Sequence, residues 1–265
     1  MQTGIRAAAV AATAAALVGC AQVEPDARIP DGQSLRNIVL VHGAFADGSG
    51  WRGVYNELTA RGYRVAIVQN PLTSFADDVQ ATRRVLARQD GQSILVGHSY
   101  GGSVITEAGT DANVAGLVYV SALAPGAGES TGDQFAEIPP PPEFVIEPSP
   151  DGFGFVNRDL FKAGFADDTT EADAAFLRDA QVPINMAIFG ERLTQAAWRS
   201  KPIWAIVATK DRAIDPRLLR RQAERIGAEI TEVDASHVPF LTQPRAVADV
   251  IDAAARSVSR AARQG

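Results

Sequence analysis

The chain has 265 residues, of which 46% are hydrophobic and 21% are charged, a balance typical of a folded globular domain. It has 25 lysines and arginines against 31 aspartates and glutamates, and no basic run of five or more residues, so we expect no binding to nucleic acid. Its three scattered histidines and single cysteine lack the spacing of metal ligands, and glycine motifs that bind phosphate are absent, so we expect neither a metal nor a cofactor.

The N-terminal segment has the layout of an export signal. Arg6 is followed by a 12-residue, largely apolar run, 7–18, which is shorter than the roughly 20 residues that cross a bilayer. We therefore expect residues 1–19 to be a cleaved signal peptide rather than a membrane domain, which leaves 20–265 as the mature domain.

The end of this signal contains the only cysteine of the chain. The tetrapeptide Leu17-Val18-Gly19-Cys20 resembles the bacterial lipoprotein processing box. The resemblance implies an exported protein that is attached to the membrane only through a lipid on Cys20. Within the resemblance, Ala21 favours sorting to the outer membrane over retention on the periplasmic face of the inner membrane. The alternative is an ordinary cleaved signal in which Cys20 stays unmodified.

Strand and helix patterns alternate along the rest of the chain. Short apolar runs, most of them rich in β-branched residues, predict strands at 37–42, 65–68, 94–96, 114–120, 203–208 and 229–233. Helical spacing of apolar residues predicts helices at about 51–60, 77–88, 100–110, 216–226 and 244–262. Such alternation is typical of the α/β class, so we expect a mostly parallel sheet of about six strands with helices on both faces.

Residues of about 126–200 interrupt the alternation. The segment contains four consecutive prolines, 139–142, and we expect it to fold back over the sheet as a lid. Eight of the 11 phenylalanines lie in it, and they either line an apolar acyl or alcohol pocket or pack the lid's own core: Phe135, Phe144, Phe153, Phe155, Phe161, Phe165, Phe176 and Phe189. The acidic residues Asp167, Asp168, Glu171 and Asp173 are expected to cap or solvate a helix.

A G-x-S-x-G pattern lies between a predicted strand and a predicted helix. It reads Gly97-His98-Ser99-Tyr100-Gly101, and this context is that of a nucleophile elbow. The turn is so sharp that the side chain at its apex, Ser99, stands clear of the backbone. The glycines let the strand and the helix approach closely.

A serine nucleophile needs a base, nearly always an imidazole held by a carboxylate. His98 adjoins Ser99 on the elbow, where neighbouring side chains diverge, and His42 ends the first strand. His237, in the loop after the last strand, remains as the predicted base.

The predicted acid is Asp211, which follows the strand 203–208 at its carboxyl end, where α/β sheets place functional groups. Asp215 is the rival, but it precedes Pro216 and is typical of a helix N-cap. Asp234 lies three residues before His237 and is expected to shape its loop.

The order Ser99, Asp211, His237 is that of α/β-hydrolases. With His42-Gly43-Ala44-Phe45 after the first strand, it makes the chain resemble this superfamily over its mature length. The segments VLVHGAFADGSGW, VGHSYGG and SHVPFLTQP look most similar to the group of plant methyl-ester esterases, hydroxynitrile lyases and bacterial relatives.

This resemblance implies an oxyanion hole formed by the backbone N–H groups of Ala44 and Tyr100, with Phe45 as second choice for the first donor. It also implies that the first two strands of the full fold are missing or vestigial, because little chain precedes residue 37.

Two departures favour an esterase over a lyase. Lyases of the group carry a lysine after the catalytic histidine, where this chain has Val238, and an acid before the serine, where it has His98. We therefore expect a cofactor-free carboxylesterase that acts on a small to medium ester. Lactone or amide hydrolysis, perhydrolysis on the same triad, and a non-catalytic anchored binding protein are the alternatives.

Overall fold

A computed structural model describes residues 35–264, so the signal segment and Cys20 lie outside the described residues. Within that range no helix combines the length and the apolar character needed to cross a membrane. The strands are β1 (Asn37–Val41), β2 (Arg64–Ile67), β3 (Ser93–His98), β4 (Val114–Val120), β5 (Ile146–Pro148), β6 (Phe153–Val156), β7 (Ile184–Asn185), β8 (Ile203–Ala208) and β9 (Glu229–Val233). The helices are α1 (Arg52–Ala60), α2 (Phe75–Leu86), α3 (Gly101–Ala108), α4 (Phe161–Phe165), α5 (Glu171–Asp179), α6 (Pro216–Arg225), α7 (Pro239–Thr242) and α8 (Pro244–Gln264).

The main sheet has six parallel strands in the order β2-β1-β3-β4-β8-β9, which confirms the predicted α/β architecture. Every residue of β1, β3, β4 and β8 is buried, because helices cover both faces of the sheet. The edge strands β2 and β9 are partly exposed and carry charged residues. Nearly continuous apolar runs therefore identified the central strands well.

Element boundaries differ by a few residues from the prediction, for identifiable reasons. Strand β3 continues through Gly97 and His98, because these residues pair with Tyr119 and Val120 of β4. Helix α2 begins at Phe75 rather than at residue 77, because Ser74 caps it and accepts a hydrogen bond from the Asp77 N–H at 3.1 Å.

The chain between β4 and β8 forms a separate layer. It holds the antiparallel sheet β5-β6-β7, the helices α4 and α5, and several short 3-10 turns. Its aromatic side chains reach the carboxyl edge of the main sheet: Phe144 and Phe189 pack on Phe45, and Phe165 packs on His237. This layer therefore encloses the edge at which the predicted site residues lie.

Candidate active site

Ser99 stands at a strained turn between β3 and α3. Its φ of +53° lies in the left-handed region, which side-chain-bearing residues seldom adopt. A Cβ added at Gly97 would lie 2.5 Å from the carbonyl oxygen of Gly101, and one added at Gly101 would lie 2.8 Å from that of His42. Glycine is therefore required at 97 for β3 and α3 to approach this closely, and at 101 for the start of α3 to pack against the end of β1.

Asp211 and His237 form a buried pair. The His237 Nδ1 lies 2.7 Å from Asp211 Oδ2, and the two residues are 1% and 4% exposed, respectively. The other carboxylate oxygen, Oδ1, accepts the N–H groups of Ala213 and Ile214, each at 2.8 Å. With Nδ1 donating to the carboxylate, Nε2 of His237 is left free to accept a proton.

The rival acid occupies a different position. Asp215 caps α6, accepting the backbone N–H of Arg217 at 2.8 Å, with Pro216 at the first helical position. The structure thus places Asp211, and not Asp215, against the ring of His237.

Ser99 and His237 line one cavity of about 170 Å³ under the inserted layer. Its walls are mainly aromatic and aliphatic, and no Lys, Arg, Asp or Glu is among the described residues that line it. The apolar walls include Phe45, Leu123, Phe135, Phe144, Ile146, Phe189 and Ile214. A chamber of this kind suits an uncharged organic group.

The phenylalanines of the inserted layer divide between the two roles left open by the sequence. Phe135, Phe144 and Phe189 line the cavity, whereas Phe161 and Phe165 are buried and pack on each other with ring centroids 5.2 Å apart. Neither alternative holds for the whole set.

Ala44 and Tyr100 also line the cavity. Between residues 35 and 264, neither backbone N–H donates a hydrogen bond to another protein group. Two unengaged amides beside Ser99 are the arrangement that an oxyanion hole requires. Phe45, with φ of +63°, lines the same wall and remains the second candidate for the first donor.

Comparison with known proteins agrees with this geometry. The sequence profile of the alpha/beta hydrolase family matches residues 38–250. The chain belongs to this family. Two related proteins are the probable hydrolase R7 of Phoma sp. and the pyrethroid hydrolase of Sphingobium wenxiniae, each 28% identical. The alignments cover 81% and 88% of this chain, and 96% and 93% of those proteins.

Solved structures show the same fold. The pyrethroid hydrolase from Sphingobium faniae JZ-2 superposes with a TM-score of 0.70 at 22% identity, over 84% of this chain and 98% of that one. Polyneuridine aldehyde esterase gives a TM-score of 0.72 at 18% identity, over 83% and 99%. These likenesses show the alpha/beta hydrolase fold over most of the described length, and the family match with the two named relatives makes the protein a hydrolase of that family.

His42 has a structural role in this hydrolase. Its Nε2 accepts the backbone N–H of Asn70 at 2.8 Å, so Nδ1 carries the proton and donates to the carbonyl of Gly43 at 2.8 Å. Burial lowers the pKa of the His42 ring. Both ring nitrogens of His42 are therefore occupied by backbone groups, those of Asn70 and Gly43.

Two further contacts of the hydrolase hold the loop that carries His237, and sequence patterns did not predict them. His98 Nε2 lies 2.8 Å from the backbone carbonyl oxygen of His237. Asp168 Oδ2 accepts the N–H of Ser236 at 3.0 Å and the hydroxyl of Thr242 at 2.9 Å.

Asp168 is exposed, as expected for this acidic run, but the sequence did not predict that it also holds the His237 loop. Thr170 is the cap of α5 and accepts the N–H of Asp173. Asp234 does not reach the ring of His237 either, because its carboxylate forms an exposed ion pair with Lys210 at 2.7 Å.

A buried hydrogen bond anchors the side chain of Tyr100, and it too was absent from the sequence prediction. The Tyr100 hydroxyl donates to Asp78 Oδ2 at 2.6 Å, and the N–H of Leu72 donates to Oδ1 at 2.8 Å. Burial raises the pKa of Asp78 to about 6 and that of Tyr100 well above its usual value. The bond ties the residue after the elbow to the start of α2.

The buried Asp78 predicts a pH dependence of stability. Its pKa is higher in the folded state than in the unfolded chain, so between about pH 4 and pH 6 the folded state binds more protons. Ionisation of Asp78 therefore lowers the free energy of unfolding as the pH rises through this window, by up to about 3 kcal/mol. Relative to Asp78→Asn, the wild type should lose stability between pH 4 and pH 7 in urea unfolding.

The adjacent Asp77 provides the control. Its carboxyl is exposed, and hydrogen bonds from Ser74 and Thr73 lower its pKa rather than raise it. The difference in free energy of unfolding between wild type and Asp77→Asn should not change with pH above pH 5. A flat difference for Asp78→Asn as well would show that Asp78 titrates normally in the folded protein.

Proposed function

We propose that this hydrolase is a serine carboxylesterase that cleaves small to medium uncharged esters through an acyl-enzyme, without a cofactor. One observation carries the proposal: the His237 ring is held by the buried carboxylate of Asp211 on the wall of the cavity that Ser99 also lines. This is the set of groups that an activated serine nucleophile requires.

In the proposed reaction, Ser99 Oγ attacks the ester carbonyl while His237 Nε2 takes the hydroxyl proton. The backbone N–H groups of Ala44 and Tyr100 stabilise the negative oxygen of the tetrahedral intermediate, on the order of 10² to 10³ in rate for each donor. The intermediate collapses when His237 gives the proton to the leaving alcohol. Water, deprotonated by the same ring, then releases the acid, while Asp211 stabilises the imidazolium in both steps.

The cavity supports an uncharged substrate of limited size. A charged group in it would lose its hydration, and among residues 35–264 no Lys, Arg, Asp or Glu lines the walls to replace it. The cavity of about 170 Å³ is close in size to engineered cavities, of about 150 Å³, that hold benzene. One ring or a short branched chain of the substrate would therefore fill it. The name of the relative from Sphingobium wenxiniae, a pyrethroid hydrolase, also supports an ester as substrate.

Labelling with a fluorophosphonate probe tests the proposal, because such probes phosphonylate activated serines. The wild type should be labelled and Ser99→Ala should not. Ser93→Ala is the matched control, since this buried serine begins β3 and is not among the residues that line the cavity. If the folded wild type takes no label, the esterase proposal is contradicted, and the alternative of a non-catalytic, anchored binding protein is favoured.

A substrate panel separates the reactions that one such triad can perform. Aryl esters of short acids should react faster than lactones, amides or peracid-forming mixtures with acyl groups of the same size. A faster rate on any of these other substrates would be consistent with the same triad but would assign a different reaction to it.

We further propose that the enzyme is exported and lipidated on Cys20, on the sequence observations alone. Radiolabelled palmitate should enter the wild type and not Cys20→Ser, and globomycin should block signal cleavage. A fully soluble, unlabelled wild type would contradict the anchor.

A further inference from the structure

We propose that His98 is a positioning residue for the catalytic base, because its Nε2–H holds the backbone carbonyl of His237 at 2.8 Å. The inference rests on the proposed function, in which His237 takes the proton of Ser99. His98 immediately precedes Ser99, so one side chain links the nucleophile's own turn to the backbone of the base, 139 residues further along the chain.

The contact defines the state of the His98 ring. A carbonyl oxygen only accepts hydrogen bonds, so Nε2 must carry the proton. Burial lowers the pKa of His98 well below its ordinary value, and the neighbouring rings of His237 and His42 act in the same direction. His98 is therefore a neutral donor that does not compete with His237 for the proton of the serine.

Packing prevents this ring from turning away. His98 is 1% exposed, and its ring lies 4.7 Å from that of Phe240 and 4.6 Å from that of His237, centroid to centroid. The ring of Trp51 lies nearly perpendicular to it, with the two centroids 6.4 Å apart. On the Gly43 side, an added Cβ would lie 3.0 Å from His98 Nδ1, so there is no free space there either.

The bond completes the attachment of the His237 loop. Asp211 holds the ring at Nδ1, and Asp168 holds the preceding residue at the Ser236 N–H. Neither contact fixes the carbonyl oxygen of His237. The position of this oxygen determines the orientation of the peptide bond that follows His237. Displacement of a reacting group by about 1 Å can cost about a hundredfold in rate, so loss of this third contact should reduce turnover.

Two substitutions separate the hydrogen bond from the packing. His98→Gln keeps an N–H donor at a similar reach, whereas His98→Met keeps comparable volume without a donor. On a short aryl ester, we expect His98→Met to lower kcat about 10- to 100-fold with KM changed less than about threefold, and His98→Gln to stay within about fivefold of wild type. Tyr119→Phe removes a buried hydroxyl bonded to Thr106 and should leave kcat near wild type, since Tyr119 does not line the cavity.

A second readout does not require turnover. The downfield proton resonance of His237 Nδ1–H, bonded to Asp211, should shift or broaden in His98→Met and be restored in His98→Gln. This distinguishes failure of the proposal from failure of the esterase function, in which wild type itself would be inactive and unlabelled.

Equal loss of kcat in the Gln and Met variants would overturn the proposal, as would wild-type turnover and an unchanged resonance in His98→Met. If the Met variant does not fold, His98→Asn replaces it, because its amide is one methylene too short to reach the carbonyl. Failure of both of these variants, neither of which can form the bond, to fold would show that the bond serves stability and would also overturn the proposal.

Discussion

Replacing Asp211 by asparagine is expected to lower kcat on a small aryl ester about 10³- to 10⁴-fold. Asparagine can still accept the N–H groups of Ala213 and Ile214 at Oδ1, so the loop keeps its shape. Its NH₂ group would then face His237 Nδ1, which lies 2.7 Å from the present carboxylate oxygen. The ring must accept there and carry its proton on Nε2, which leaves no base for Ser99.

His237→Ala should show a loss of at least about a thousandfold, because the triad members act as a unit. Asp215→Asn is the matched control. Asparagine caps helices about as well as aspartate, and Asp215 contacts Arg217 rather than His237, so kcat should stay within about twofold. A large loss in Asp215→Asn with a mild one in Asp211→Asn would reassign the acid.

Gly102→Ala is expected to cost more than about 3 kcal/mol in free energy of unfolding, or to prevent folding. The added Cβ would lie 2.2 Å from the carbonyl oxygen of Leu123 and 2.9 Å from the Cβ of Ala122. The closer atom belongs to the backbone and cannot move aside as a flexible side chain can. The Leu123 N–H also bonds to the carbonyl of Ser99 at 3.3 Å, so any shift of this segment would disturb the elbow.

Urea unfolding measures this loss against Gly190→Ala. Apart from its neighbours in the chain, no described residue comes within 4 Å of a Cβ added at Gly190, and this residue does not have a positive φ, so the variant should stay within about 0.5 kcal/mol of wild type. A cost of less than about 1 kcal/mol for Gly102→Ala would mean that α3 does not approach the segment after β4 as closely as described.

Much of the fold could be predicted because its signals are local. A central strand of a parallel sheet is buried on both faces, so an apolar run such as 114–120 marks it without knowledge of its neighbours. The elbow is also local, since the G-x-S-x-G pattern that marks it spans only five residues between a strand and a helix. Asp211 and His237 could be selected because the carboxyl ends of parallel strands meet at one edge of the sheet.

The supporting contacts of the site could not be found in this way. His98 reaches His237 over 139 residues, Asp168 reaches Ser236 over 68, and Tyr100 reaches Asp78 over 22. No periodicity or motif connects such residues, because the direction of a side chain in a loop or turn depends on what packs around it. Sequence by itself therefore determined the six strands of the main sheet, most helices and the candidate nucleophile, acid and base, but not the strands β5, β6 and β7 of the inserted layer. Only the tertiary structure decided which side chains hold them, since hydrogen bonds between distant segments exist only after the sheet and the layer above it have packed.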